Sequence, residues 1–291
     1  DAAGNSASNN VSVTVFNEVN VVLPPDPITV APTLDPTAIS TMEMDTNFLY
    51  TGSNPIQTGV AEGTIKPARV AVLRGRVADK DGSPLSGVTV SILSHPELGQ
   101  TLSRADGVFD MAVNGGGKLN IKYEKTDYLS IQRKLDVPWK DYTWAPDVVM
   151  IALDPLVTTI DLTSAEPIQV AAGSPETDAD GTRTAVVMIP QGTAAELVMP
   201  DGSTTSISTV NIRATEYTVG ASAPAAMPGT LPPTTGYTYA VELSADEAIA
   251  AGATDIRFSQ PVYTYVDNFL NFPVGGIVPS GYYDREKGQW I

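Results

Sequence analysis

Cysteine is absent from this chain, histidine occurs once, and basic residues are scarce. The first absence excludes disulfides, thiolate metal sites and cysteine nucleophiles. The second leaves little for imidazole catalysis or zinc ligation, which need clustered His, Glu or Cys. Lys and Arg number 17 against 33 Asp and Glu, a formal net charge of −16. No Lys/Arg cluster is present to neutralise phosphates, so nucleic acid is not expected as a partner. No apolar run reaches the length of a membrane span, so membrane insertion by this segment is not expected. Helical 3.6-residue periodicity is almost missing as well.

Gly (24) and Pro (23) are abundant, and 42% of the residues are hydrophobic, enough for a real core in about two domains over 291 residues. Turn residues punctuate short alternating segments, the pattern of an all-β chain. The clearest example is Leu73–Ile92, where alternation on both sides of Asp79-Lys80-Asp81-Gly82 predicts a strand, a tight turn and a partner strand.

Four regions follow. Residues 1–22 read as the C-terminal hairpin of a truncated immunoglobulin-like domain, with alternation at Val11, Val13 and Val15. Residues 23–69 form a long connector in which repeated prolines disfavour continuous strands, although Met42, Met44, Phe48, Leu49 and Tyr50 are too apolar for a free linker. The segment Phe48–Ile56 is expected to pack on the body. Residues 70–153 predict a complete sandwich: strands at Val70–Val77, Val88–Leu93, Lys118–Tyr123, Ile131–Val137 and Asp147–Leu153, with a hairpin over Thr101–Val113 turning at Asp106-Gly107. Residues 154–291 predict a second β domain, truncated, with eight strands between Thr158 and Val266 and one short helix. That helix is expected to start with a capping box, Ser244 to Glu247, and to end at Gly252. The fold class is therefore all-β, tandem β-sandwich domains with one short helix and a Pro-rich connector. The chain opens on Asp1 without a signal-peptide pattern and closes on a hairpin around Asp284–Gly288, which reads as a fragment or a processed product.

Candidate chemistry is sparse. His95, near Glu97, lies in a turn and lacks a Gly-x-Ser-x-Gly elbow, so a surface turn is expected. Asp178-Ala-Asp180-Gly181 begins like a calcium loop, but Ile189 stands where the twelfth-position Glu is required, so a turn is expected. Asp79–Gly82 reads the same way, and Asp1 and Asn5 form a calcium site only with a neighbouring repeat. Glu176/Asp178 and Asp246/Glu247 do not stand out as an acid–base pair. Asn114–Lys118 lacks a phosphate-loop pattern, and a hairpin is expected there. An isopeptide bond requires Lys118 or Lys122 to be buried, which is rare for lysine. Catalytic residues, metal ligands and cofactors are accordingly all predicted to be none. Tyr263, Tyr265, Phe269, Phe272, Tyr282, Tyr283 and Trp290 form a dense aromatic set that suits either a core or a docking face.

Two motifs carry a family resemblance. Arg74-Gly-Arg-Val-x-Asp-x-Asp-Gly-x-Pro-Leu-x-Gly-Val-x-Val90 with Arg104-Ala-Asp-Gly-x-Phe-Asp110 resembles carboxypeptidase regulatory-like, or transthyretin-like, domains. A longer set is similar to the region upstream of the YD-repeat shell in bacterial Rhs proteins, relatives of the teneurins. It runs from Phe48–Gly59 through Val137-Pro-Trp139, Thr177–Arg183, Met199–Ser203 and Arg213–Val219 to Phe269–Gly275 and Val278–Arg285. The resemblance implies that 70–153 is the transthyretin-like domain and 154–291 a fibronectin-like plug closing one end of a YD-repeat shell in the same parent polypeptide. In that family the shell can enclose a C-terminal toxin, and neither shell nor toxin lies in this sequence. It further implies a secreted or surface bacterial protein, no enzyme activity, and shell contacts at Phe269, Phe272, Tyr282, Tyr283 and Trp290. The rival readings are a carbohydrate- or surface-binding module using exposed aromatics, and an enzyme accessory domain.

Overall fold

The structure is a computed structural model, described here for residues 21–33, 35–233 and 236–291. Most of the hairpin assigned to 1–22, with Asp1 and Asn5, lies outside the described residues. The fold is all-β, with helices no longer than six residues among the described elements.

The connector carries α1 (Pro27–Val30), α2 (Met42–Thr46) and strand β1 (Gln57–Thr58). Leu49 and Ile56 pack with Val72 and Ala112 under full burial. Each such side chain contributes roughly 1.5–3 kcal/mol. Gln57 is buried too, and its amide donates to the Leu98 and Ala112 carbonyls while accepting from the Ala112 N–H. The connector is thus docked along the first sandwich.

That sandwich contains β2 (Val70–Asp79), β3 (Thr89–Ile92), β4 (Gln100–Leu102), β5 (Val108–Asn114), β6 (Gly117–Glu124), β7 (Ile131–Val137), β8 (Tyr142–Trp144) and β9 (Val148–Met150). One sheet has the order β1-β4-β3-β6-β7; the other is β5-β2-β8, with β9 also paired to β2. Val70, Leu73, Val77, Phe109, Met111, Ile121, Tyr123 and Ile131 fill the space between them.

Two sequence expectations are overturned here. The segments β2 and β3 are not partners: the turn at Asp79–Gly82 forms, but pairing stops at the single bridge Ala78–Pro84. Pro84 has no N–H with which to extend the ladder, and the chain crosses to the facing sheet. Thr101–Val113 is likewise no hairpin. Its turn at Asp106-Gly107 exists, yet β4 and β5 belong to opposite sheets. Ser103 makes the crossing: its hydroxyl donates to the Leu85 carbonyl and accepts from the Val88 N–H. Alternation shows strands but not the sheet each one joins. Strand β8 went unread because its aromatic residues alternate over only three positions.

The second β region contains β10 (Thr158–Asp161), β11 (Ile168–Ala172), β12 (Glu176–Asp178), β13 (Gly181–Arg183), β14 (Ala185–Pro190), β15 (Ala195–Val198), β16 (Thr204–Ile207), β17 (Thr209–Glu216), α3 (Ala223–Ala226), β18 (Val241–Ala245), α4 (Asp246–Ala251), β19 (Asp255–Phe258), β20 (Tyr263–Val266), β21 (Tyr283–Asp284) and β22 (Gln289–Trp290). The sheet β10-β17-β18 faces β11-β14-β20 across Ile160, Val187, Ile189, Val210 and Ile212.

The helix near 250 is present, and Gly252 closes it in the left-handed region. The capping box is not. Ala245 occupies the N-cap, and the Ser244 hydroxyl is buried without a partner. Glu247 instead accepts from the Asn211 backbone N–H and side-chain amide. Strand β18 extends through Ala245 and pairs Ser244 with Arg213, which takes Ser244 out of cap geometry. The single short helix expected is joined by α1, α2 and α3.

Candidate docking surfaces

Strands β7 and β9 of the first sandwich meet the 217–229 segment and the terminal hairpin of the second region. Leu129, Val149 and Ile151 pack with Tyr217, Ala226 and Met227, with Trp290 at the edge. Most polar groups in this seam are matched, Asn120 Oδ1 being buried without a partner among the described residues. Arg133, 5% exposed, donates to the carbonyls of Met227 and Ala225, and the Gln132 N–H donates to the Pro228 carbonyl. Burial holds the Arg133 guanidinium below its ordinary pKa. Arg285 donates to Ser130, Glu242 and Tyr217, and its carbonyl accepts from Gln132. Burial, with Glu242 beside it, pushes the Tyr217 phenol well above its usual range.

A second polar centre lies inside the 154–291 region. The Arg183 side chain is only 1% exposed and sits between Asp178 and Glu216. It donates to Glu216 from Nε at 2.8 Å and Nη2 at 2.6 Å, and to Asp178 from Nη1 at 2.7 Å and Nη2 at 2.9 Å. The Phe269 ring covers its face, 4.6 Å from guanidinium carbon to ring centroid. The Arg183 hydrogen bonds hold the Asp178 carboxyl well below the usual carboxylate range. Asp178 and Gly181 thus close a hairpin in which the Asp178 carboxylate already has its cation. The signal for this centre, Asp178 five residues before Arg183, was in the sequence; Glu216 was not traceable from it.

The remaining candidates fall on the surface. His95 is half exposed, with Nδ1 2.9 Å from Glu97, whose carboxyl that contact holds low. Lys118 is 76% exposed beside Asp136, and Lys122 pairs with Glu124 at 2.7 Å, so neither is the buried lysine an isopeptide bond needs. Asn114 donates to the Thr64 carbonyl, and the following glycines make the β5–β6 turn. Among the described residues no group of three or more His, Asp or Glu is arranged for a metal ion. No described helix is long and apolar enough to cross a membrane.

The predicted docking aromatics separate. Tyr283 and Trp290 pack edge-to-face at 5.4 Å, and the Trp290 indole donates to the Gly229 carbonyl. Tyr283 donates to Gln132 across the seam. Phe269 covers Arg183 and contacts Tyr239. Phe272 and Tyr282 remain exposed, at 42% and 61%.

Two further apolar surfaces are exposed; residue types in the sequence point to Tyr263 and Tyr265 of the second but to none of the aliphatic members of either. The first is the loop from Phe272 to Tyr282, where Val274 and Ile277 are fully solvated and Val278 is over half exposed. The second is the outer face of β11-β14-β20. Register places Val170 beside Met188 and Tyr263, and Ala172 beside Val186 and Tyr265. Ile168, Val170, Tyr263 and Tyr265 are each more than half exposed. A solvated antiparallel face normally alternates to polar residues. The β10-β17-β18 sheet does so with Thr159, Asn211, Arg213 and Glu242. Both faces of β11-β14-β20 are apolar, the pattern of a sheet covered on both sides.

Comparison with known proteins assigns the first sandwich. The family described as "Teneurin TTR-like domain" matches residues 65–150. Human teneurin-4 is 31% identical over 134 residues, covering 46% of this chain and 4% of teneurin-4. Mouse teneurin-1 is 40% identical over 82 residues, covering 28% of this chain and 3% of its own. Drosophila melanogaster teneurin-m is 34% identical over 126 residues, covering 43% and 5%. The chain thus spans about one twentieth of the length of these relatives. Solved structures are far more distant. The 3-chlorocatechol 1,2-dioxygenase of Rhodococcus opacus aligns at TM-score 0.27 and 12% identity, over 33% of this chain and 65% of its own. A streptococcal ancillary pilin aligns at TM-score 0.26 and 11% identity, over 48% and 59%. Neither supports an argument about activity. Residues 65–150 form a teneurin-like transthyretin-like domain.

Proposed function

We propose that this chain is a non-enzymatic structural module of a secreted or cell-surface protein, and that residues 154–291 cap a YD-repeat shell in the same polypeptide. The observation that carries the proposal is the solvated apolar loop from Phe272 to Tyr282. Val274 and Ile277 are almost wholly exposed, and such side chains gain roughly 1.5–3 kcal/mol each from burial in a partner. The likeness of the first sandwich to teneurins supports the same reading. The matched seam around Arg133 and Arg285 makes the sandwich a stiff base from which the loop projects.

Phe272 and Tyr282 serve as shell contacts, together with Val274, Ile277 and Val278. Phe269, Tyr283 and Trp290 support the loop from inside. In a bacterial Rhs-type parent, the cap would isolate an enclosed C-terminal toxin from solvent. The acidic surface and the scarcity of Lys/Arg suit an extracellular module with no nucleic-acid role.

Co-expression of this chain with the shell of its parent, followed by size-exclusion chromatography, tests the reading. A complex is expected, and it should be lost in a Val274→Asp, Ile277→Asp variant that keeps its fold. A free monomeric chain beside the folded shell would contradict the proposal.

A further inference from the structure

We propose that the outer face of the β5-β2-β8 sheet is a binding site for an acidic oligosaccharide, engaging the carboxylate of a uronate-type sugar. The site belongs to the transthyretin-like sandwich, and it is independent of the capping role proposed for residues 154–291.

The connector covers only half of this face, at Val72 and Ala112. The other half is open. Register sets Trp144 beside Arg74 on the neighbouring parallel strand, and Tyr142 beside Val72. Tyr142 and Trp144 are each 56% exposed. Residues two apart on a strand share a face at about 6.6 Å spacing. Large aromatic side chains are seldom this solvated, and two in succession form a flat apolar platform. The Arg74 guanidinium lies 5.9 Å from the Tyr142 ring centroid.

Charge is the second observation. Asp110, buried on β5, binds Arg74 through Nε and Arg104 through Nη1, so one carboxylate serves two guanidiniums. Arg104 is 8% exposed, and its Nε is buried without a hydrogen-bond partner. Among the described residues Arg74 bonds only Asp110, through Nε, and 40% of its side chain is exposed. Arg76 joins the same face one alternation further along β2. The other acids nearby are Asp106, 3.7 Å from Arg104, and Asp141, whose carboxylate accepts from the Tyr142 N–H. In a chain of net charge −16 this is a local concentration of cation donors, and guanidinium forks match carboxylates in geometry.

The combination selects the ligand. An acidic peptide would use the guanidiniums and leave the rings idle. A neutral glycan would use the rings and leave the guanidiniums idle. A carboxylated sugar stacks its C–H face on Trp144 and Tyr142 and presents its carboxylate to Arg74.

Titration of the whole chain with tetragalacturonate, read by tryptophan fluorescence and calorimetry, tests the proposal, with a neutral galactotetraose and hexaglutamate alongside. Saturable binding of the uronate alone is expected. Trp144→Ala and Tyr142→Ala, both surface changes, should each weaken it about tenfold, as loss of one anchoring ring does. Arg74→Gln should do the same. No saturable uronate binding, equal binding of the neutral sugar or of hexaglutamate, or unchanged affinity in Trp144→Ala would each overturn it.

Discussion

Replacing Arg183 by Met should destabilise the 154–291 region by about 3–5 kcal/mol, the range found when one partner of a buried ion pair is removed. The estimate follows from the surroundings of the side chain. Arg183 is 1% exposed, Glu216 5% and Asp178 15%, and four short N–H donations bind the three together. Met conserves much of the volume under Phe269 but leaves the Glu216 carboxylate buried without its cation. Adding Glu216→Gln to Arg183→Met should recover part of the loss, because contacting residues couple by about 0.5–3 kcal/mol. The assay is urea unfolding read from Trp290 in a background where Trp139 and Trp144 are Phe. A loss below about 1 kcal/mol, or a double variant no more stable than Arg183→Met, would refute the assignment of this centre to stability. The pH dependence has a definite sign. Asp178 is depressed by Arg183, so its contribution is fully present above its unfolded pKa of about 3.9 and is lost as pH falls through the folded value. Acid should therefore destabilise the native chain, and Arg183→Met should flatten that dependence.

Three further outcomes are expected. Gly229→Ala places a Cβ 2.1 Å from the Tyr283 ring, so it should cost about 1–3 kcal/mol by overpacking and shift Trp290 fluorescence. Arg133→Gln removes charge-assisted bonds to Met227 and Ala225, with an expected loss of about 2–3 kcal/mol; limited proteolysis within 217–229 should accelerate. Val170→Lys with Tyr265→Lys, on the solvated face of β11 and β20, should change stability by no more than about 0.5 kcal/mol, measured by thermal unfolding, and should slow aggregation at high protein concentration.

Much of the fold could be read from residues because period-two alternation and Asp-Gly turns are local. Ile131–Val137 forms a strand with the bounds expected from the sequence. Sheet membership is not local: Ser103 and Pro84 redirect the chain between sheets through contacts invisible in a strand pattern. The capping box failed for the same reason, since Glu247 finds Asn211, thirty-six positions away. For docking, aromatic residues drew attention because they are large; three of the five, Phe269, Tyr283 and Trp290, are partly buried against other residues of the chain. The solvated apolar groups are mainly aliphatic, and their exposure depends on which sheet face the fold leaves open.

Hydrogen exchange on the intact parent protein, compared with this isolated chain, tests the capping role most directly. Amides of residues 268–282 should exchange rapidly in the isolated chain and become protected in the parent, as the apolar loop is buried by the shell. Equal, rapid exchange of 268–282 in both would contradict the account.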